Sequence, residues 1–288
     1  MSIITFWNDT REQSGKTLTS VAVAIRMAME RNSKILLIST SFNDPTLRDC
    51  LWGNEYSKNV NFFNTKTSNI AVENGIEGLM KLVASKKLTP EVITDYTKVI
   101  FKERLEVVPG ILVEDDKKEE ECIEQYKRMQ ESYTDLIRMA SLHYDIVIVD
   151  LDKRLSTKVR EDILKMSNLN IYVLSQKLAS INRYNDLKKN NQEFMKNKCI
   201  PVIGKYDWRF KYNSKNIARY LGERKELHLV PMNLLFMGAA EEVGVVDLFL
   251  RLKSIKDQHD ENYIFMNCVL NLTNNILIKL QELQMKMR

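Results

Sequence analysis

Ser14-Gly15-Lys16-Thr17 is the stretch of this 288-residue chain whose residue types most directly suggest chemistry. It follows Ile3-Ile4-Thr5-Phe6-Trp7, an almost wholly apolar or β-branched run that reads as a buried strand, and a polar loop from Asn8 to Ser14. From Gly15 onward Val21, Ala22, Ala24, Ile25, Ala28 and Met29 recur at helical spacing, so strand, loop and helix meet at the Gly-Lys-Thr. A helix N-terminus offers unpaired N–H groups and the positive end of a dipole to an anion. There Lys16 can reach the β- and γ-phosphates of a nucleotide, and the Thr17 hydroxyl can take a Mg²⁺ position. A second candidate is Asp150, which closes the apolar run Tyr144-Asp145-Ile146-Val147-Ile148-Val149. An acid at the end of such a strand holds Mg²⁺ through water beside the Thr hydroxyl. Each signal alone has a plain structural alternative, an ordinary helix start and an ordinary strand end; the pair together points to phosphate.

The elements that must position these residues alternate. Lys34-Ile35-Leu36-Leu37-Ile38 reads as a strand with a polar exit from Ser39 to Pro45. Residues 69–103 read as helix in pieces, with Gly75 to Lys86 carrying Ile76, Leu79, Met80, Leu82 and Val83, and with Thr89-Pro90 as N-cap and first helical position of the next piece. Leu105 to Val108 is a strand stopped by Pro109-Gly110. The mostly acidic run Glu114 to Glu121 opens a helix expected to continue to about His143. Further strands are read at Asn170 to Gln176 and at His228 to Pro231, and helices from Leu178 and from Lys215 to a Gly222 stop. Such alternation implies an α/β fold with a mostly parallel central sheet flanked by helices, and ligand at the carboxyl ends of the strands. The expected organisation is one domain over residues 1–252 and a C-terminal amphipathic helix within 253–288. The stripe of that helix is Phe265, Val269, Leu272, Ile276, Leu280, Leu283 and Met287.

Composition narrows the class. With 44% hydrophobic and 28% charged residues the chain is of ordinary globular type. It has no run of eighteen apolar residues, and Asp9, Arg11 and Glu12 interrupt the place of a signal segment, so a cytoplasmic protein is expected. Cys50, Cys122, Cys199 and Cys268 are far apart, which argues against a disulfide framework, a zinc site or an iron–sulfur cluster. No G-x-G-x-x-G follows the first strand, which disfavours dinucleotide chemistry. Charge is uneven: residues 153–225 hold 18 Lys/Arg against 6 Asp/Glu. A basic segment of this kind suits non-specific nucleic acid or an anionic membrane surface, although solvated helix faces are the blander explanation. Within it, Asp207-Trp208-Arg209-Phe210-Lys211-Tyr212 interleaves aromatics with bases, either as a single-strand platform or as a loop packed over the domain edge.

The motifs resemble those of ParA/MinD-like P-loop ATPases. Their deviant loop K-G-G-x-G-K-T, laid on residues 11–17, gives Arg11, Glu12, Gln13, Ser14, Gly15, Lys16 and Thr17, with three of seven positions different. The opening ITFWNDTREQSGKT looks most like a Gram-positive branch, associated with pilus, secretion and conjugation systems, whose loop runs approximately F-W-S-P-x-H-G-Q-T-G-T-T. Leu178 to Ile181 is similar to the end of the family's Q-P-E-L-A-S-I, Ile200 to Asp207 to its V-I-N-R-Y-D, and Ala239 to Gly244 to its closing E-A-x-x-x-G; the order of elements agrees through to about Leu252.

The resemblance implies ATP or ADP with Mg²⁺, contacted by Gln13, Ser14, Gly15, Lys16, Thr17, Leu18, Asp150 and Lys205, the metal being held through water at Thr17 and Asp150. It implies catalytic roles for Lys16 and for Arg11, which stands where the family's lysine crosses to the partner's phosphates in a homodimer. It also implies a DNA, partition, pilus, secretion or conjugation partner, with the terminal helix as a peripheral membrane contact in some relatives. Departures point to weak hydrolysis. The family's D-x-D at the end of its second strand is Ser39 and Ser41 here, and its D-T-P-P is Asp150-Leu151-Asp152-Lys153. A hydroxyl has neither the charge nor the basicity of a carboxylate. Glu12 is expected to put negative charge beside the phosphates, and Gly204 replaces the asparagine that reads the base. The alternative is a dimeric scaffold that keeps the fold and hydrolyses little.

Overall fold

The structure, a computed structural model, describes all of the chain except residues 11, 53–74, 113–118, 224–225 and 287–288. Among the described residues eight strands form one sheet: β1 (Ser2–Trp7), β2 (Ile35–Ser39), β3 (Lys98–Phe101), β4 (Leu105–Val108), β5 (Ile146–Asp150), β6 (Leu169–Leu174), β7 (Cys199–Tyr206) and β8 (His228–Pro231). Their order is β3-β4-β2-β5-β1-β6-β7-β8, parallel throughout except for the β3–β4 hairpin at one edge. β1, β2, β5 and β6 are buried along their full length, which is why they appear in sequence as nearly unbroken apolar runs.

Side chains alternate between the two faces. Leu36 and Ile38 join one core, covered by α3 (Gly75–Ala84), α5 (Ser132–His143), α6 (Thr157–Met166) and α7 (Leu178–Asn190). Ile35 and Leu37 join the other, covered by α1 (Lys16–Glu30), α10 (Leu234–Glu241), α11 (Val245–Leu252) and α12 (Glu261–Lys286). The stripe expected on the terminal helix is the buried face of α12: Phe265, Val269, Leu272, Ile276 and Leu280 are at most 4% exposed and pack in the same core as α1. Met287 lies outside the described residues. No described helix is long and apolar enough to cross a membrane. The remaining helices are α2 (Thr46–Leu51), α4 (Glu119–Met129), α8 (Gln192–Lys198) and α9 (Ser214–Tyr220).

Three local expectations are corrected. The helix read as continuous to His143 is two, α4 and α5, broken at Gln130-Glu131, where the Gln130 amide turns away to donate to the Lys127 carbonyl and to accept from the Ser156 N–H. After α3 the chain makes only a short 3-10 turn (Glu91–Tyr96), and residues 98–101, read as helix, are the edge strand β3; Lys98, Val99, Ile100 and Phe101 suit a half-exposed strand next to β4. Pro90 stands just before that turn rather than within it. The acidic run 114–118 lies outside the described residues.

Candidate functional site

The loop between β1 and α1 is held from several sides. Asn8 donates to Ser14 Oγ at 2.6 Å. Asp9 accepts from Tyr172 OH at 2.8 Å and from Arg183 Nε at 2.6 Å, which ties the loop to β6 and α7. Lys153 Nζ donates to the Thr10 carbonyl at 3.3 Å. Glu12 is turned to the end of β6, where its carboxylate accepts from Ser175 Oγ at 2.7 Å with Lys177 Nζ at 3.9 Å. The charge expected beside the phosphates therefore has its own partners.

Gly15 caps α1 in the left-handed conformation, φ 76°, with no side chain to occupy the helix end. The backbone favours glycine there, and a Cβ would lie 2.9 Å from the Lys205 side chain, which would have to shift. Lys16, Thr17 and Leu18 form the first turn, whose amides have no partner within the helix, and that turn contains no acid. Asp150 lies under it, 1% exposed. Its carboxylate pairs with Lys16 Nζ, accepts from Thr17 Oγ1 at 2.9 Å and has Ser39 Oγ at 3.4 Å. Ser39 Oγ in turn donates to Ser41 Oγ at 2.9 Å.

Thus the structure brings Ser14, Gly15, Lys16, Thr17, Leu18, Asp150 and Lys205 into one place. Gln13 lies in the same loop; Arg11 lies outside the described residues. The oxygen donors, Thr17 and Asp150 with Ser39 beside them, are those a hard cation such as Mg²⁺ accepts. Lys16 and the free helix end suit the phosphates. The residues present fit a Mg²⁺-nucleotide.

Two features were hidden in the sequence. Gly204 is a packing position: a Cβ would sit 2.1 Å from the Ser14 carbonyl oxygen and 2.9 Å from Val173, so an asparagine does not fit there while the loop lies where it does. The second is Asp152, two residues beyond Asp150 and 8% exposed. Its N–H donates to Thr40 Oγ1 at 2.8 Å, and its carboxylate takes Arg154 Nε at 3.0 Å and Nη2 at 2.7 Å. Burial works to raise its pKa, but the Arg154 hydrogen bonds, helped by the charge of Lys16, bring it below the usual carboxylate value. A second acid just past a strand-end acid is the only signal the sequence carried for it.

The basic segment is partly neutralised: Arg154, Lys165, Lys177, Arg183, Lys188 and Arg209 are each within ion-pair distance of an acid. Arg224 and Lys225 lie outside the described residues. In the loop that follows β7, Trp208 and Phe210 are 58% and 46% exposed, with Trp208 edge-on to Tyr206 at 4.7 Å between ring centroids. Burial pushes the Cys50 and Cys199 thiols up to about 12, and no group of three or more metal-ligating His, Cys, Asp or Glu side chains occurs among the described residues.

Fold and loop together have the layout of a P-loop α/β sheet, with the β1–α1 loop at the carboxyl ends of the parallel strands. The chain matches no protein-family model and no curated protein sequence. Among solved structures it is similar to a ParA family ATPase from Chlorobium tepidum TLS, with a TM-score of 0.65 and 18% identity over 94% of this chain and 97% of that one. It is also similar to the septum site-determining protein MinD complexed with Mg-ADP from Pyrococcus horikoshii OT3, with a TM-score of 0.62 and 14% identity over 96% and 98%. A third is a putative plasmid partition protein from Borrelia burgdorferi B31 bound to AMPPNP, with a TM-score of 0.56 and 14% identity over 95% and 98%. At these identities the likeness establishes the fold: an eight-stranded, mostly parallel ParA/MinD-type P-loop sheet with a C-terminal helix.

Proposed function

We propose that this protein is a nucleotide-dependent switch that binds ATP or ADP with Mg²⁺, self-associates, and so positions or assembles another complex. The observation that carries the reading is the meeting of Lys16, Thr17 and Asp150 at the uncapped end of α1. When bound there, a Mg²⁺-nucleotide supplies a cleavable phosphoanhydride and a conformational signal. Lys16 holds the phosphates, Thr17 and Asp150 hold the metal, the latter through water, and Gly15 lets the loop approach closely. Lys205 lies across the loop at Gly15, and Gln13 and Arg11 belong to the same loop, with Arg11 reaching the partner's nucleotide in a homodimer. Hydrolysis is slow, because Ser39 and Ser41 offer hydroxyls where a carboxylate would orient water.

The partner is a partition, pilus, secretion or conjugation complex of the kind suggested by the motifs. The basic surface within 153–225 gives weak, salt-dependent contact with nucleic acid, and peripheral membrane contact is the lesser alternative because the apolar face of α12 is already spent in the core. A second reading is a dimeric scaffold that binds nucleotide without turning it over; it is favoured by the same two serines. Calorimetry with ADP–Mg²⁺ and ATP–Mg²⁺, beside light scattering, tests the proposal. Binding by the native chain that is lost in Lys16→Ala, with a larger mass in ATP, is expected. No nucleotide binding, or a monomer at tens of micromolar in every condition, defeats it.

A further inference from the structure

β2 and β5 lie side by side with Ser39 opposite Asp150, so the loops that leave them start from one place. The first of these loops carries only hydroxyls at its base, Ser39, Thr40 and Ser41. The second carries Asp152. The two are joined by backbone and side chain: Thr40 N–H donates to the Asp150 carbonyl at 3.0 Å, and Asp152 N–H donates to Thr40 Oγ1 at 2.8 Å. Asp152 is therefore seated against the residue that lies between Ser39 and Ser41, the two positions where an acid is missing. Its carboxylate is 9% exposed, whereas the Arg154 side chain that chelates it is 45% exposed. Water therefore reaches the pair on the arginine side, where the side chain is half exposed, and not on the carboxylate side.

We propose that Asp152 is the water-orienting carboxylate of this site, supplied from β5 in place of one from β2, and that Arg154 holds it closed. The inference rests on the nucleotide-binding reading above. In the step concerned, a water oxygen bonds to the γ-phosphorus while the bond from that phosphorus to the β–γ bridging oxygen breaks. The electron pair of the broken bond leaves with the diphosphate, and the proton of the water passes to an oxygen of the phosphate that is released. Asp152 accepts a hydrogen bond from the attacking water and so fixes its direction. Turnover is low while both of its oxygens are engaged by Arg154.

The test compares the native chain with Asp152→Asn, Asp152→Glu, Arg154→Gln and Lys16→Ala by two readouts. One is steady-state phosphate release, resolved into kcat and KM. The other is retention of labelled ADP on gel filtration after addition of Mg²⁺ and aluminium fluoride, which requires an ordered water-side geometry but no turnover. Asp152→Asn is expected to lower kcat and trapping by about 10²-fold, the lower end of what a positioned acid or base contributes, with ADP affinity within about threefold of native. Asp152→Glu should restore part of both, and Arg154→Gln should raise kcat severalfold. Unchanged kcat and trapping in Asp152→Asn would overturn the proposal. So would equal losses in Asp152→Asn and Arg154→Gln, the mark of a pair that only braces the loop, or no turnover in Arg154→Gln together with no trapping in the native chain. Loss of ADP binding in the native chain itself removes the nucleotide reading and this inference with it, whereas native binding that Lys16→Ala abolishes leaves the first standing whatever Asp152 does.

Discussion

Two buried carboxylates sit at opposite ends of the same sheet, Asp150 at the carboxyl ends of the strands and Glu106 near the amino ends. Each is almost fully buried, at 1% and 7% exposure, and each has three partners. Glu106 accepts from Tyr144 OH, from Thr97 Oγ1 at 2.8 Å, and has Lys34 Nζ at 3.9 Å. Lys34 is itself fixed, lying over the Tyr144 ring at 4.9 Å and against His143 Nε2. Asp150 instead pairs with Lys16 and Thr17, which belong to an uncapped helix N-terminus, the positive end of a helix dipole. A buried acid always needs donors. What separates a brace from a site is whether those donors have a competing ligand to go to: Tyr144 and Thr97 have none, while in the function proposed above Lys16 and Thr17 take phosphate and metal.

Removing the competing donor should give the largest effect. Lys16→Ala takes away the phosphate contact and also leaves Asp150 buried with hydroxyl partners alone. Breaking a buried pair from one side costs about 3–5 kcal/mol, and the 14% exposure of Lys16 places this one at the lower end. Calorimetry should show nucleotide affinity down by at least about 10²-fold, with urea unfolding showing the stability loss. A full-affinity Lys16→Ala would erase the distinction between the two acids. Next in size is Gly204→Asn. The new side chain collides with the Ser14 carbonyl, and overpacking of this kind costs about 1–3 kcal/mol. Because the nearest atom is loop backbone, a loss of nucleotide affinity of about tenfold should accompany it. Native affinity in that variant would mean the loop yields without consequence.

The contrast between these residues also marks what could be read before the structure. Buried central strands announce themselves because both faces are covered, so β1, β2, β5 and β6 were plain from composition. The meeting of Gly15, Lys16 and Thr17 at a helix start was legible because strand, loop and helix follow one another locally, and Asp150 because it ends an apolar run. Gly204 was not: its reason is a carbonyl at Ser14, 190 positions away in the chain, and no local pattern encodes that approach. The edge strand β3 was misread because a half-exposed strand of four residues has too short a period to distinguish from a helical turn. The break at Gln130 depends on a contact with Ser156, again outside any local window. Asp152 was visible as a departure from the family's pattern, but its pairing with Arg154 and Thr40 was not.

At the amino end, Tyr144→Phe tests the brace. It removes the hydroxyl that donates to Glu106 and leaves Thr97 and a distant Lys34 as the remaining partners. A buried acceptor that loses a donor costs about 1–3 kcal/mol. The unfolding midpoint in urea should fall accordingly, while ADP affinity stays within about twofold of native. A drop in affinity comparable to the stability loss would show that the two ends of the sheet are coupled, and the division between brace and site would have to be withdrawn.

The smallest effect is expected from Ser39→Ala, and it sharpens the comparison at Asp150 itself. Ser39 Oγ stands 3.4 Å from Asp150 Oδ2, a weak contact beside the Lys16 and Thr17 bonds to the same carboxylate. Its better hydrogen bond is the one to Ser41 Oγ at 2.9 Å, and the Ser41 N–H also donates to Ser39 Oγ at 3.2 Å. Alanine therefore strips two contacts from Ser41 while leaving the principal partners of Asp150 in place. The stability cost should be about 1 kcal/mol, and nucleotide affinity should change by less than about threefold. Phosphate release should be unchanged, because a serine hydroxyl at this point does no acid–base work in the reading given above. Thermal unfolding, calorimetry and phosphate release on one preparation would measure all three. If Ser39→Ala instead suppressed turnover as strongly as Asp152→Asn, the water would be ordered from β2 after all, by hydroxyls, and the role assigned to β5 would pass back to Ser39 and Ser41.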